Sequence, residues 1–225
     1  MNTIIVSLGG SIVSPQETSG VDALLQGYVT LLSKLSTTHR IGLIVGGGYR
    51  ARTGIEAARV ANPSISNDEL DWVGIKASQM NAQQLAGLIP GSTFIETPDT
   101  VLPDQTGLYI GGGWKPGRST DYCAVWLATK NQVAMVSNIS NIEYLYNKDP
   151  KAFPDAKPLV DVTWSTLIEL VGTEWKPGLN APFDPIAAKL ASEQALTIRI
   201  LNGSNLANVE LAITGQPFTG TTVHP

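Results

Sequence analysis

Apolar, β-rich runs alternate with helix-period segments along the whole 225-residue chain. That alternation predicts an α/β protein, a three-layer αβα sandwich around an open, mainly parallel sheet. Two further observations support it. Several apolar runs stop at glycine clusters, as strands do where they turn into loops. The composition, 43% hydrophobic and 15% charged, belongs to a chain able to bury a full core.

Thr3 to Leu8 reads as a buried strand ending at Gly9-Gly10-Ser11. Leucines and valines at helical spacing predict a helix from Val21 to Leu35. Ile41 to Val45 is a second buried strand, closed by Gly46-Gly47-Gly48. Helices follow over Tyr49–Ala61, ended by Asn62-Pro63, and over Asp68–Leu88, interrupted at Gly74. Short strands fit Thr93–Glu96 and Leu108–Ile110, the latter before Gly111-Gly112-Gly113. A helix fits Ser119–Thr129 and a strand Gln132–Ser137. The polar, proline-rich stretch 138–158 reads as a long loop or hairpin. Helices then fit Trp164–Leu170, Pro185–Ala195 and Ser204–Asn208, and strands Thr197–Leu201 and Gly220–Val223. No internal repeat or low-complexity linker divides the chain, so residues 1–225 are expected to form one domain.

Composition excludes several classes. A net charge of −4 without a basic run gives no field for a nucleic acid polymer. One cysteine, Cys123, permits neither an intrachain disulfide nor a cysteine zinc cluster, and His39 and His224 are too few and too distant for a histidine metal site. No metal-ligating set is therefore assigned. The N-terminus MNTIIVSLGGSIV is neither a secretion signal nor a membrane span, so a cytoplasmic protein is expected. Asn138-Ile-Ser and Asn202-Gly-Ser then match the glycosylation pattern only by chance.

Three glycine clusters after three strands point to ligand binding. Ligands of open α/β sheets sit beyond the carboxyl ends of the strands. Glycine there admits close backbone approach and leaves N–H groups for anionic oxygens, and a following helix adds its positive end. There is no G-x-x-x-x-G-K-[ST] phosphate loop, and G-G-S lacks the dinucleotide spacing. Any phosphate is held by another architecture.

The order of motifs resembles the amino-acid-kinase family, and within it the archaeal-type uridylate kinases. Ser7-Leu-Gly-Gly-Ser11 is similar to that family's first strand-turn, and Val45-Gly-Gly-Gly-Tyr-Arg-Ala-Arg52 to its second glycine loop. Asp71-Trp-Val-Gly-Ile75 with Asn81-Ala82 resembles the segment lining the acceptor nucleotide. Gly112-Gly113-Trp-Lys-Pro-Gly-Arg-Ser-Thr-Asp121 resembles the subfamily's Gly-Gly-x-x-Pro-Gly-x-[ST]-Thr-Asp loop. Ser140-Asn141, Tyr146 and Asp149-Pro150-Lys151 resemble its nucleoside stretch, Asp184-Pro-Ile-Ala-Ala-Lys189 its late helix start, and Gly220-Thr221-Thr222-Val223 its closing strand.

The resemblance implies the amino-acid-kinase-like fold and ATP-dependent phosphorylation of UMP to UDP, with Mg2+. The N-terminal part would bind the acceptor and the C-terminal part ATP, in a homo-oligomer, dimer or hexamer. By the same resemblance Gly10 and Ser11 would face the transferring phosphate. Gly48 and Arg52 would support ATP, and Ser140, Asn141, Tyr146 and Asp149 would hold its adenosine half. Gly47 would face the UMP phosphate, as would the loop Trp114, Lys115, Pro116, Gly117, Arg118, Ser119 and Thr120. Asp71 would read the sugar hydroxyls. Lys189 would neutralise phosphate charge, oriented by Asp184, which could alternatively hold magnesium.

Structural readings stand beside these. Asp184 before Pro185 makes a good helix N-cap, and Ser119 or Thr120 can cap the next helix. Arg52 can pair with Glu56 four residues on. Asp149-Pro150 forms a turn by itself, and Lys189 suits a solvated helix face. Trp72, Trp126, Trp164 and Trp175 are expected in packing, as is Cys123 in its helix.

Four departures from the family pattern stand out. The first strand carries Ser7 where many members have lysine. The nucleoside stretch reads Asn141-Ile-Glu-Tyr-Leu-Tyr146, with Glu143 and Tyr144 in place of Asp and Gly. Gln79 stands for arginine and Trp114 for a smaller polar residue. Two other functions fit these departures: a different phosphotransferase on the same scaffold, acting on a carboxylate or an isoprenoid phosphate, or a non-catalytic relative that binds nucleotide or oxyanion for storage or regulation. The isoprenoid-phosphate branch places a histidine after the second glycine loop, and here none lies between His39 and His224.

Overall fold

The computed structural model describes residues 2–16, 23–150, 152–172 and 182–225. The expected helix start at Val21, and Lys151 and Trp175, lie outside the described residues.

The first strand, β1 (Thr3–Leu8), leads into one short turn of helix, α1 (Gly10–Val13). The helix α2 (Ala23–Ser36) returns the chain to β2 (Arg40–Val45). Two helices follow, α3 (Gly48–Ala61) and α4 (Asn67–Leu88). A capping box in which Ser66 and Glu69 satisfy each other's backbone N–H groups starts α4. It runs unbroken through Gly74, where the sequence predicted an interruption. Packing against α3 offsets the ~1 kcal/mol that a mid-helix glycine costs.

The chain continues through β3 (Thr93–Phe94), β4 (Gly107–Gly111) and α5 (Thr120–Lys130) to β5 (Met135–Ser140). This last strand begins later than the expected Gln132. Gln132 has a positive φ of 55° and belongs to the turn that closes α5. The stretch after β5 contains a two-stranded antiparallel hairpin, β6 (Leu145–Tyr146) with β7 (Pro158–Leu159). A strand that the sequence pattern does not announce, β8 (Asp161–Thr163), comes next. The remaining elements are α6 (Trp164–Val171), α7 (Pro185–Glu193), β9 (Thr197–Asn202), α8 (Leu206–Ile213) and β10 (Thr221–His224).

The eight-stranded sheet has the order β3-β4-β2-β1-β5-β9-β10-β8. Neighbours are parallel except β9 and β10, so the last two strands run against the rest. The period-2 alternation of a strand sends successive side chains to opposite faces, and two cores follow. Ile4, Val6 and Leu8 join Ile41, Leu43 and Val45 on one face, against α2, α4 and α8. Ile5 and Ile44 join Ile198 and Ile200 on the other, against α5, α6 and α7. The helix α3 lies outside both layers, packed on α4 with no buried residue of its own.

This wiring places the site. From β1 the chain passes over one face to β2, and from β4 it crosses by α5 on the opposite face to β5. The crevice beyond the carboxyl ends of β1 and β5 is therefore the topological switch point, where open α/β sheets bind ligands.

Candidate active site

The motif order across the sheet edge follows the strand order. The loop 112–119 leaves β4, the Gly46–Gly48 turn leaves β2, the Gly9–Ser11 turn leaves β1, and the Ser140–Asn141 stretch leaves β5. The β1 turn is wedged between the other parts. A Cβ on Gly10 would lie 2.2 Å from Gly46 O and from Gly48 N, and Gly48 itself has φ +60°. Only glycine allows the two turns to interlock this way. On the other side Gly9 N–H donates to Ile139 O at 2.7 Å.

Asn81 fixes the second turn. Fully buried, it donates from Nδ2 to Gly46 O at 2.8 Å and Gly47 O at 3.0 Å, and its Oδ1 accepts from Arg50 Nη1 at 2.6 Å. With its carbonyls occupied, the turn is held rigidly for a ligand. The loop 112–119 is tied to α4 in the same manner. Gly113 N–H donates to Ser78 Oγ at 2.7 Å and Gln79 Nε2 to Gly113 O at 3.0 Å. Gly117, with φ +72°, donates its N–H to Asp71 Oδ2 at 2.7 Å. Gln79 thus anchors the loop.

Between these parts lies a cleft of about 300 Å³. Gly47, Gly48, Arg52, Asp71, Arg118, Ser119 and Thr120 line it, with Ile55, Ile75, Ser78 and Gly113 among its walls. Most of the expected acceptor residues therefore share one concavity. Among the described residues Arg52 forms no ion pair with Glu56, and it lines the cleft instead. Trp114 stacks on Trp126 with ring centroids 6.2 Å apart, and Lys115 Nζ lies 3.9 Å from the Trp114 ring.

Gly10 and Ser11 sit behind the Gly46–Gly48 turn. Ser140 and Asn141 occupy the neighbouring β5 end, where Ser140 O accepts from Gly203 N–H at 2.8 Å and Asn141 O from Asn202 Nδ2 at 3.2 Å. Tyr146 lies on β6, edge-on to Tyr144 at 6.5 Å. Asp149 follows, its carbonyl accepting from Phe153 N–H at 2.9 Å. Lys189 is on α7 with a side chain 74% exposed, 4.0 Å from Glu193 Oε1. It does not line the acceptor cleft.

Under the switch point lies a cluster whose members come from separate motifs and are joined only by the fold. Ser7 on β1 and Asn138 on β5 are register partners. Both donate to Asp121 Oδ1, at 2.9 and 2.6 Å. Asp184 is adjacent. It caps α7 through Ile186 N–H at 2.8 Å, and its Oδ2 accepts from Ser119 Oγ, which in turn caps α5 through Tyr122 N–H at 3.1 Å. The capping reading of Ser119 and Asp184 is correct, and the two caps also bond each other. Burial, then the charge of Asp184, pushes the Asp121 carboxyl up to about 6. Burial raises Asp184 as well, against the bond from Ser119. Two neighbouring carboxylates desolvated together resist double ionisation, the arrangement expected where charge is to be managed during a reaction.

A signal for this cluster is present in the sequence. Ser7 and Asn138 are polar residues inside strands that are otherwise buried and apolar, and a buried polar group is the informative exception. The glycosylation pattern at Asn138 gives no hint of this role. Of the other residues expected in packing, Trp164 donates from Nε1 to Leu196 O at 2.9 Å, and burial raises the Cys123 thiol to about 12. Trp72 departs from that expectation at 53% exposed.

A doubly covered sheet with glycine turns interlocked at its switch point, an acidic pair beneath and a cleft beside it defines an α/β phosphate-handling scaffold. Comparison with known proteins gives it a family. The model of the amino acid kinase family matches residues 100–202. A uridylate kinase of Thermoplasma volcanium is 31% identical over 228 residues, covering 98% of this chain and 97% of that one. A uridylate kinase of Methanothrix thermoacetophila is 30% identical over 218 residues, covering 94% and 95%. The chain belongs to the amino acid kinase family. Its fold matches the crystal structure of uridylate kinase from Archaeoglobus fulgidus with a TM-score of 0.77 at 24% identity, over 99% of this chain and 100% of that one. The UMP kinase of Bacillus anthracis matches with a TM-score of 0.75 at 16% identity, over 99% and 96%.

Proposed function

We propose that this protein transfers the γ-phosphoryl group of ATP to UMP, giving UDP and ADP. The observation that carries the reading is the near full-length relation to uridylate kinases together with one cleft holding Gly47, Asp71, Arg118, Ser119 and Thr120 at the switch point. The acceptor phosphate would lie at the α5 N-terminus, where backbone N–H groups and the Thr120 hydroxyl meet an anion. Asp71 would face the sugar with the carboxylate oxygen that Gly117 does not use. The N-terminal part of the chain thus serves the acceptor and the C-terminal part serves ATP.

The residues fit ATP. The Gly9–Ser11 turn offers backbone where any side chain would collide, and Ser140, Asn141, Tyr146 and Asp149 continue from it along the β5 end. Lys189, projecting from α7 into solvent, is available to bound phosphates. Mg2+ that accompanies ATP would be held through one or two protein carboxylates. The acidic pair Asp121 and Asp184 is what the site offers it. That ion would neutralise charge on the phosphates. The chain's own residues position the two nucleotides and hold the buried carboxylates in place.

Among the described residues no helix is long and apolar enough to cross a membrane. A cytoplasmic enzyme acting on a free nucleotide is the reading we favour. For the homo-oligomer, the outer stripe of α3 is the preferred surface. Arg52, Ile55, Glu56, Arg59 and Val60 line an open groove there. A two-fold copy could set Glu56 against Arg59 and Ile55 against Val60 in both directions.

The test is ADP release measured with UMP, CMP, acetylglutamate and isopentenyl phosphate as acceptors. Turnover with UMP exceeding the others by about tenfold or more is the expected result, a difference of ~1.4 kcal/mol in transition-state binding. ATP binding without turnover on any acceptor would favour the storage or regulatory function instead.

A further inference from the structure

We propose that Arg118 is the catalytic cation of phosphoryl transfer in this protein, and that the aromatic stack of Tyr122, Trp126 and Trp114 is the device that positions it. The inference rests on the UMP kinase reading and deepens it.

Among the described residues Arg52 and Arg118 are the cations that line the cleft, and Arg118 is the one whose neighbour Ser119 bonds Asp184. Phosphoryl transfer spreads negative charge over the equatorial oxygens, and a fixed positive group beside them is the usual answer. The first strand supplies Ser7, which is spent on Asp121. Arg50 is spent on Asn81 and Gln84. Lys115 lies on the Trp114 ring, and Lys189 is in solvent. Arg118 lines the cleft directly before Ser119, the residue that bonds Asp184. Its charge reaches the Asp184 carboxyl from there. It thus stands between the acceptor cleft and the acidic pair.

The side chain is also built in. Its guanidinium lies 4.8 Å from the Tyr122 ring, and its Nη1 donates to Gly117 O at 2.8 Å. Tyr122 stacks on Trp126 at 6.2 Å with the planes 10° apart. Trp126 stacks in turn on Trp114, and its Nε1 is tied to Asp99 Oδ1 at 2.9 Å. The Arg118 Nε is buried without a partner among the described residues. A buried unpaired donor carries a cost, and the planar stack covers it while leaving Nη2 for a ligand oxygen. A planar guanidinium stacks on such a face better than a compact ammonium does. The arrangement also accounts for Trp114, which forms the far end of the stack.

In the step itself an oxygen of the UMP phosphate forms a bond to the γ-phosphorus. The bond from that phosphorus to the β–γ bridging oxygen breaks, and its electron pair leaves with ADP. Arg118 stabilises the equatorial oxygens between the two.

The test compares kcat and both KM values for wild type, Arg118→Ala, Arg118→Lys, Tyr122→Leu and Tyr122→Phe in the full chain. Arg118→Ala should lower kcat at saturating UMP about 100-fold or more, with KM for ATP changed less than about threefold. Added guanidinium ion should restore part of the rate. Arg118→Lys should recover less than about a tenth of wild-type kcat. Tyr122→Leu should lower kcat about tenfold, and Tyr122→Phe should recover most of it. An Arg118→Ala enzyme with kcat within about threefold of wild type, or one that loses only UMP affinity, overturns the inference while the UMP reading stands. Absence of wild-type turnover on any acceptor overturns both.

Discussion

Asp121 offers a direct measurement of how the site treats charge. Its carboxyl is raised from 3.8 to about 6 by burial and by Asp184. A native pKa above the unfolded one means that the native state binds the extra proton more tightly. The resulting stabilisation is fully present below pH ~4 and is lost as pH rises through ~6, about 3 kcal/mol in all. Between about pH 4.5 and pH 7 the change amounts to about 2 kcal/mol. Other carboxylates titrate in the same range, so the quantity to follow is the difference between wild type and Asp121→Asn. The amide keeps the shape and one acceptor for Ser7 and Asn138 but cannot titrate. Urea unfolding at half-unit steps from about pH 4.5 to 7.5 should show the wild type losing about 2 kcal/mol relative to the variant as pH rises. A difference that stays flat within about 0.5 kcal/mol, or slopes the other way, would refute the assignment of a desolvated acid pair.

Four further outcomes are expected. Asn81→Ala should cost about 2–3 kcal/mol of stability, because the Gly46 and Gly47 carbonyls lose their buried donor; thermal unfolding checks it. Asp71→Asn should raise KM for UMP about tenfold with KM for ATP unchanged, as initial-rate kinetics would show. Lys189→Ala should raise KM for ATP severalfold with kcat within about threefold and Tm unchanged, since its side chain is 74% exposed and lies outside the acceptor cleft. Val60→Glu on the α3 stripe should lower the oligomeric state seen by light scattering and leave the monomer folded.

The strands β1, β2 and β4 were legible because each is short, apolar and stopped by glycine. Continuous apolar runs gave no face, and the structure splits Ile4 and Ile5 into different cores by period-2 alternation. Boundaries failed where a turn residue was chemically ordinary: nothing in Gln132 announces a positive φ. β8, only Asp161–Thr163, escapes a sequence reading because three half-polar residues carry no periodic signal. Motif resemblance pointed to Gly47, Asp71, Arg118, Ser119 and Thr120, which line one cleft together with Gly48 and Arg52, two residues expected on the ATP side. The acidic cluster was not legible in this way, because it is assembled from β1, β5, α5 and α7, and only the register of Ser7 with Asn138 brings two donors onto one carboxylate. Tertiary placement of that kind leaves no local mark beyond a polar residue in a buried strand.

The glycine clusters give a ligand room, and they have a second job that limits how this site can vary. Gly10, Gly46 and Gly48 leave no space for a Cβ because each faces the backbone of the other turn. Anchored by Asn81, the pair of turns forms one rigid body shared by the acceptor side and the β5 side. Rigidity there is what phosphoryl transfer needs, since the barrier is lowered by holding two anionic groups in line and not by covalent help from the protein. The cost is that charge cannot be supplied from the turns themselves. With Ser7 bound to Asp121 on the first strand, positive charge has to come from the flanking segments, and the loop before α5 is the segment that adjoins both the cleft and the carboxylates.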